Sequence, residues 1–134
     1  MANGILDGKI IIITGAASPI GMGREMALAL VAAGARVAMM DIDGAALEKS
    51  ANDAREIGGD DSVLPLVADV TSYSDAQRVV QSTLDYFGGL HVLINNAGTN
   101  QLNVGMSDTI LEPWWGIDPE AWDRVVAVNF SGPF

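Results

Sequence analysis

The sequence contains no cysteine, which excludes disulfide frameworks and thiolate metal sites outright. Its single histidine, His91, cannot form an imidazole cluster, and no metal site is expected. Basic residues are scarce as well: seven Lys and Arg stand against seventeen Asp and Glu, a formal net charge of −10. The seven cations (Lys9, Arg24, Arg36, Lys49, Arg55, Arg78, Arg124) are scattered, with no basic run. Such a chain repels phosphate backbones and anionic lipid surfaces, so neither nucleic acid nor a membrane is expected as a partner. The apolar run at residues 10–13 is far too short to span a bilayer. The first residues, Met-Ala-Asn-Gly-Ile-Leu-Asp, lack a basic region followed by an apolar core, so a cytoplasmic protein without a secretory signal is expected. What is present is a composition 49% hydrophobic and 18% charged, which suits a packed domain rather than a disordered chain.

Short apolar runs alternate with longer segments of helical period. Residues 9–14 (KIIIIT) read as a strand buried on both faces, because β-branched residues run without polar alternation. A helix over 21–33 follows, with Gly34 as its stop, then a strand over 36–41 that ends on an acid. Asp43 is suited to cap the next helix, which the glycines at 58 and 59 break. Residues 62–68 form a third strand, placed at a sheet edge by Pro65, which cannot donate to a ladder. A helix over 72–87 and a strand over 90–95 complete the alternation. The last helix opens at Asp118-Pro119 and runs to about Asn129. This order predicts an α/β, Rossmann-type doubly wound parallel sheet with strand order 3-2-1-4.

Between the first strand and helix lies Thr14-Gly15-Ala-Ala-Ser18-Pro-Ile-Gly21-Met22-Gly23. Glycines in such a turn permit a tight bend, close approach of backbone to a pyrophosphate, and close packing of helix on strand. The helix N-terminus adds unpaired N–H groups, which lets an acidic chain hold a doubly phosphorylated ligand. Asp41, at the end of the next strand, is placed to accept both adenosine ribose hydroxyls and to repel a 2′-phosphate, which favours NAD over NADP. The alternatives are an ordinary strand-to-helix loop and a solvated strand-end acid.

On these residues, with Asn95-Asn96-Ala97-Gly98 at the fourth strand's end, the chain resembles the N-terminal half of the short-chain dehydrogenase/reductase family. The family's usual turn is Thr-Gly-x-x-x-Gly-x-Gly; here the loop is two residues longer, with Gly21 and Gly23 as the later glycines. The resemblance implies NAD contacts from Gly15, Ser18, Gly21, Met22, Gly23, Asp41 and Ile42. It also implies an adenine contact from Asp69-Val70, although Asp69 equally suits the closing of a loop. Asn96, Ala97 and Gly98 would border the cofactor's ribose and tie the central strands together. Asn129 would be the first member of the catalytic group, distorting its helix and extending a proton relay.

The Ser and the Tyr-x-x-x-Lys pair of that group do not occur: Tyr73 and Tyr86 are followed four residues later by Gln77 and Leu90. Residues 1–134 are therefore expected to be a partial NAD-binding domain whose C-terminal half is absent, inactive alone. The intact enzyme would move hydride between NAD and an alcohol or carbonyl substrate, as a homotetramer or dimer with the last helix at a subunit interface. The alternative is a non-catalytic dinucleotide-binding module or pseudoenzyme. The stretch 99–117, with Met106, Ile110, Leu111, Trp114 and Trp115, suits either a substrate wall or a packed insertion. His91 is expected to be structural.

Overall fold

The computed structural model describes residues 4–100 and 114–134. Four parallel strands, β1 (Ile10–Thr14), β2 (Arg36–Asp41), β3 (Val63–Val67) and β4 (Val92–Ile94), form one sheet in the order 3-2-1-4. This is the expected Rossmann-type arrangement, and Pro65 lies on the edge strand opposite Met39. Side chains alternate along β1 and so divide the core between two faces. Ile11 and Ile13 pack with Val37, Met39, Ala27, Val31 and Leu47 under helices α1 (Met22–Ala32) and α2 (Gly44–Gly58). Ile10 and Ile12 pack with Ala38, Met40, Val79 and Phe87 under α3 (Tyr73–Phe87).

The helix ends obey local chemistry. The Asp43 carboxylate accepts the Ala46 N–H at 3.0 Å, and the Ser72 hydroxyl accepts the Asp75 N–H at 3.2 Å. Asp118 accepts the Glu120 N–H at 3.2 Å and opens α4 (Pro119–Val126) with proline at its start. Gly34, at φ +96°, stops α1, and Gly88, in the left-handed region, stops α3. Arg24 of α1 reaches Asp53 of α2 at 2.6 Å and also pairs with Glu25.

Two elements differ from expectation. The fourth strand covers 92–94 rather than 90–95, and side chains share the bonding to β1 at its ends. The His91 ring accepts the Ile10 N–H through Nδ1 at 2.9 Å, which gives this histidine a structural role. Beyond Ile94, the Asn96 amide takes over the bonding to β1. The last helix runs to Ser131, two residues past Asn129. Its final stretch is a π turn over Ala127–Ser131, a distortion at the asparagine expected to cause one, closed by the Gly132 N–H on the Ala127 carbonyl at 2.8 Å. No helix of the described residues is long and apolar enough to cross a membrane.

Candidate functional site

The Gly-rich turn is set by backbone geometry before any side chain is considered. Gly15 has φ +71°, and a Cβ there would lie 2.7 Å from the Ala97 Cα, so only glycine fits. Gly23 is buried at the start of α1, where a Cβ would meet the Gly15 carbonyl oxygen at 2.1 Å. It begins the stripe Gly23, Ala27, Val31 that faces the sheet, so helix and strand touch where the longer turn places a glycine. Between these points the turn is seated on β2 and α2. The Ala16 N–H donates to the Met40 carbonyl at 3.2 Å, and the Ala17 N–H donates to Asp41 Oδ2 at 2.9 Å. The Ser50 hydroxyl donates to the Ala17 carbonyl at 3.0 Å. Ser18, Pro19 and Ile20 form an exposed tip, closed by the Gly21 N–H on the Ser18 carbonyl at 3.0 Å. Among the four α-helices of the described residues, α1 is the one that starts with no capping side chain.

The strand ends beside the turn are stapled by two polar residues. Thr14 Oγ1 accepts the N–H groups of Asn96 and Ala97 at 3.1 and 3.0 Å. The Asn96 amide donates to the carbonyls of Thr14 and Gly15 at 3.0 and 3.1 Å. Farther out, the Asn129 amide grips Thr99 twice: Nδ2 donates to its carbonyl at 2.9 Å and Oδ1 accepts its N–H at 2.8 Å. Asn129 thus lies within the π turn and holds the chain that leaves β4.

The acids at the strand ends all carry local bonds. Asp41 accepts Ala17 N–H on one oxygen and Asp43 N–H on the other, at 3.1 Å. Asp69 Oδ1 accepts from the N–H and hydroxyl of Thr71 at 2.8 and 2.7 Å, so it closes its own loop. The Asp69 N–H donates to Asp75 Oδ2 at 2.9 Å, and Arg78 donates to Asp75 Oδ1 at 2.9 Å. That backbone donor first, and Arg78 second, hold the Asp75 carboxyl below the usual aspartate range.

These groups surround a cleft of about 380 Å³ at the carboxyl ends of the strands. It lies at the switch point of the sheet, where the chain order reverses and open α/β sheets take ligands. Of the residues singled out in the sequence, Gly15, Asp41, Ile42, Asp69, Val70, Ala97 and Gly98 line it. Gly21, Gly23, Asn96 and Asn129 are not lining residues, and Ser18 and Met22 are exposed on the turn and at the start of α1. The sequence reading missed Thr71, Thr99 and Arg124 on the wall. Arg124, Ala127 and Val128 stand at helical spacings of three and four, a periodicity that could have placed them on one face. Met106, Ile110 and Leu111 lie outside the described residues, as does the Trp114 side chain. Among the described residues, no cluster of His, Asp or Glu could hold a metal ion. The arrangement offers backbone donors, a strand-end carboxylate and apolar walls, which suits it to holding a ligand.

Residues 9–134 match the family profile described as short chain dehydrogenase. The chain is 39% identical over 127 residues to a sorbitol dehydrogenase of Cereibacter sphaeroides, covering 95% of this chain and 43% of that one. It superposes with a TM-score of 0.81 and 34% identity on a 3-ketoacyl-(acyl-carrier-protein) reductase of Brucella melitensis complexed with NADH, covering 96% of this chain and 46% of that one. An NAD+-bound xylitol dehydrogenase gives a TM-score of 0.80 at 30% identity, covering 96% of this chain and 45% of that one. The chain therefore spans less than half the length of each of these three. With its sheet order, its stapled strand ends and this match over nearly its whole length, the chain belongs to the short-chain dehydrogenase/reductase family.

Proposed function

We propose that this chain is the NAD-holding portion of an oxidoreductase that interconverts an alcohol and a carbonyl compound. The observation that carries the reading is the uncapped start of α1, set beside Asp41 across the Gly-rich turn. Unpaired N–H groups there suit a pyrophosphate, and Gly15 and Gly23 leave room for backbone to approach it. Each Asp41 oxygen accepts one backbone N–H and, having two lone pairs, keeps capacity for a ribose hydroxyl. Asp69-Val70 and Ala97-Gly98 supply the adenine and ribose walls. NAD, when bound, supplies the hydride acceptor or donor. The NADH and NAD+ of the two solved relatives support this choice.

Asn129 takes the positioning role in this reading, through its pair of hydrogen bonds to the Thr99 backbone. The Ser and the Tyr-x-x-x-Lys pair that would move the substrate's proton are not among residues 1–134, so these residues alone hold cofactor without turning over substrate. A longer polypeptide that adds them completes the enzyme, as a cytoplasmic homotetramer or dimer in which the exposed Trp122 and Phe130 suit a subunit contact. The lack of that pair equally suits a second reading, a dinucleotide-binding module without catalysis.

The test is Asp41→Ala, with NAD and NADP affinities measured side by side. Loss of a charge-assisted hydrogen bond predicts a drop of about tenfold or more for NAD. NADP should lose less, because a repulsion on its 2′-phosphate is removed at the same time. Equal losses for both cofactors would refute the ribose assignment.

A further inference from the structure

Ser50 is a hydroxyl in a place where helix α2 has no local use for one. It lies on the buried face with Leu47, Ala51 and Ala54, and is only 2% exposed. A buried mid-helix hydroxyl commonly bonds back to the carbonyl one turn earlier. Thr83 does this in α3, donating to the Val79 carbonyl at 2.7 Å. Ser50 instead donates across the interior to the carbonyl of Ala17, 33 residues away in the Gly-rich turn. The other side of Ala17 is held too, since its N–H donates to Asp41. The peptide groups flanking one residue are thereby fixed from two elements, α2 and the end of β2. The following residues, Ser18 to Ile20, are exposed.

We infer that Ser50 is a positioning residue for the cofactor's diphosphate, clamping the turn at Ala17 together with Asp41. The inference rests on the cofactor reading above. A turn two residues longer than the family's usual one has more slack, and slack costs ordering entropy when a ligand binds. The clamp confines that slack to the exposed tip and fixes the segment between Gly15 and Ala17. Asp41 then serves both ends of the dinucleotide: it faces the adenosine ribose, and through Ala17 it sets the backbone that meets the phosphates. Ser50 touches neither ligand group and acts only through the Ala17 carbonyl.

The experiment compares Ser50→Ala and Ser50→Cys with the wild type in the full chain, using NAD, ADP-ribose and adenosine as probes. Alanine is a good helix former, so Ser50→Ala is expected to fold. It should weaken NAD and ADP-ribose about tenfold through the unpaired carbonyl, while adenosine changes by less than about twofold. Ser50→Cys, nearly the same size but a weaker donor, should fall between. Hydrogen exchange at the Ala17 amide should quicken in Ser50→Ala. An equal loss for adenosine would show general repacking and overturn the clamp. So would unchanged NAD affinity and unchanged Ala17 exchange. A wild-type chain that binds neither NAD nor ADP-ribose would overturn the cofactor reading instead, and Ala17 exchange would then decide the clamp by itself.

Discussion

Asp75 takes its charge into a turn that uses it, accepting the Asp69 N–H while Arg78 bonds its other oxygen. Both donors favour the ionised form, so its carboxyl sits below the ordinary range. A lowered carboxyl contributes stability that is present above the ordinary aspartate pKa and is lost as pH falls through the lowered value. The turn Asp69-Val70-Thr71 on the cleft wall should therefore loosen below about pH 4. Thermal melts of the wild type and Asp75→Asn should differ at neutral pH and converge toward acid; a constant gap would refute the assignment. Single residues were unevenly legible in the sequence. Asn96 stood out within Asn95-Asn96-Ala97-Gly98 as an amide able to tie adjacent strand ends, and the structure supplies it with two carbonyls. Thr14 did not, since threonine is ordinary in a strand, yet its hydroxyl accepts two backbone N–H groups. Ser50 was equally quiet: one small polar residue on a helix face does not reveal a partner 33 residues away.

At the scale of elements, the sequence served best where a cap or a period marks an end. Asp43 and Asp118 each hold the helix they were expected to open, and β2 spans the expected residues. It served worst where tertiary bonding sets the end. At the ends of the short β4 an imidazole and an amide bond to β1 alongside the backbone, contacts that no local propensity encodes. The π turn holds Asn129, where a distortion was expected, but the partner of that amide, Thr99, lies thirty residues away and is not encoded locally. The packing of α1 on β1 is strict in a way that can be measured. Gly23→Ala would place a methyl 2.1 Å from the Gly15 carbonyl oxygen and 2.5 Å from the Asn96 amide nitrogen. Overpacking of this kind costs about 1–3 kcal/mol or more, because backbone rather than a side-chain tip must move. Urea denaturation should show that loss as a lower midpoint, and an unchanged midpoint would mean that α1 rides freely on the strand.

For the molecule as a whole, a net charge of −10 means that the proposed phosphate binding falls mainly on backbone N–H groups, since Arg124 is the one cation among the described residues that line the cleft. Among the described residues one flank of the sheet is also open: Leu93 on β4 is 54% exposed, and β4 pairs there with β1 alone. Such an edge is a template for another strand, as the expected second half of a doubly wound sheet would provide. The 134 residues by themselves should give no NADH formation from any alcohol and no NADH consumption by any carbonyl compound. Steady turnover by the purified 134-residue polypeptide would contradict this and show that some other group moves the proton. The Asn129–Thr99 pair bears on how such a molecule can diversify. Its two bonds pinch the chain at residues thirty apart, so the pinch acts as a neck on everything between. Doubling the length of a flexible loop adds only about 0.6 kcal/mol of closure cost. By that measure, a change of length between Thr99 and the start of α4 at Pro119 is expected to leave the strand end in register so long as both bonds are kept.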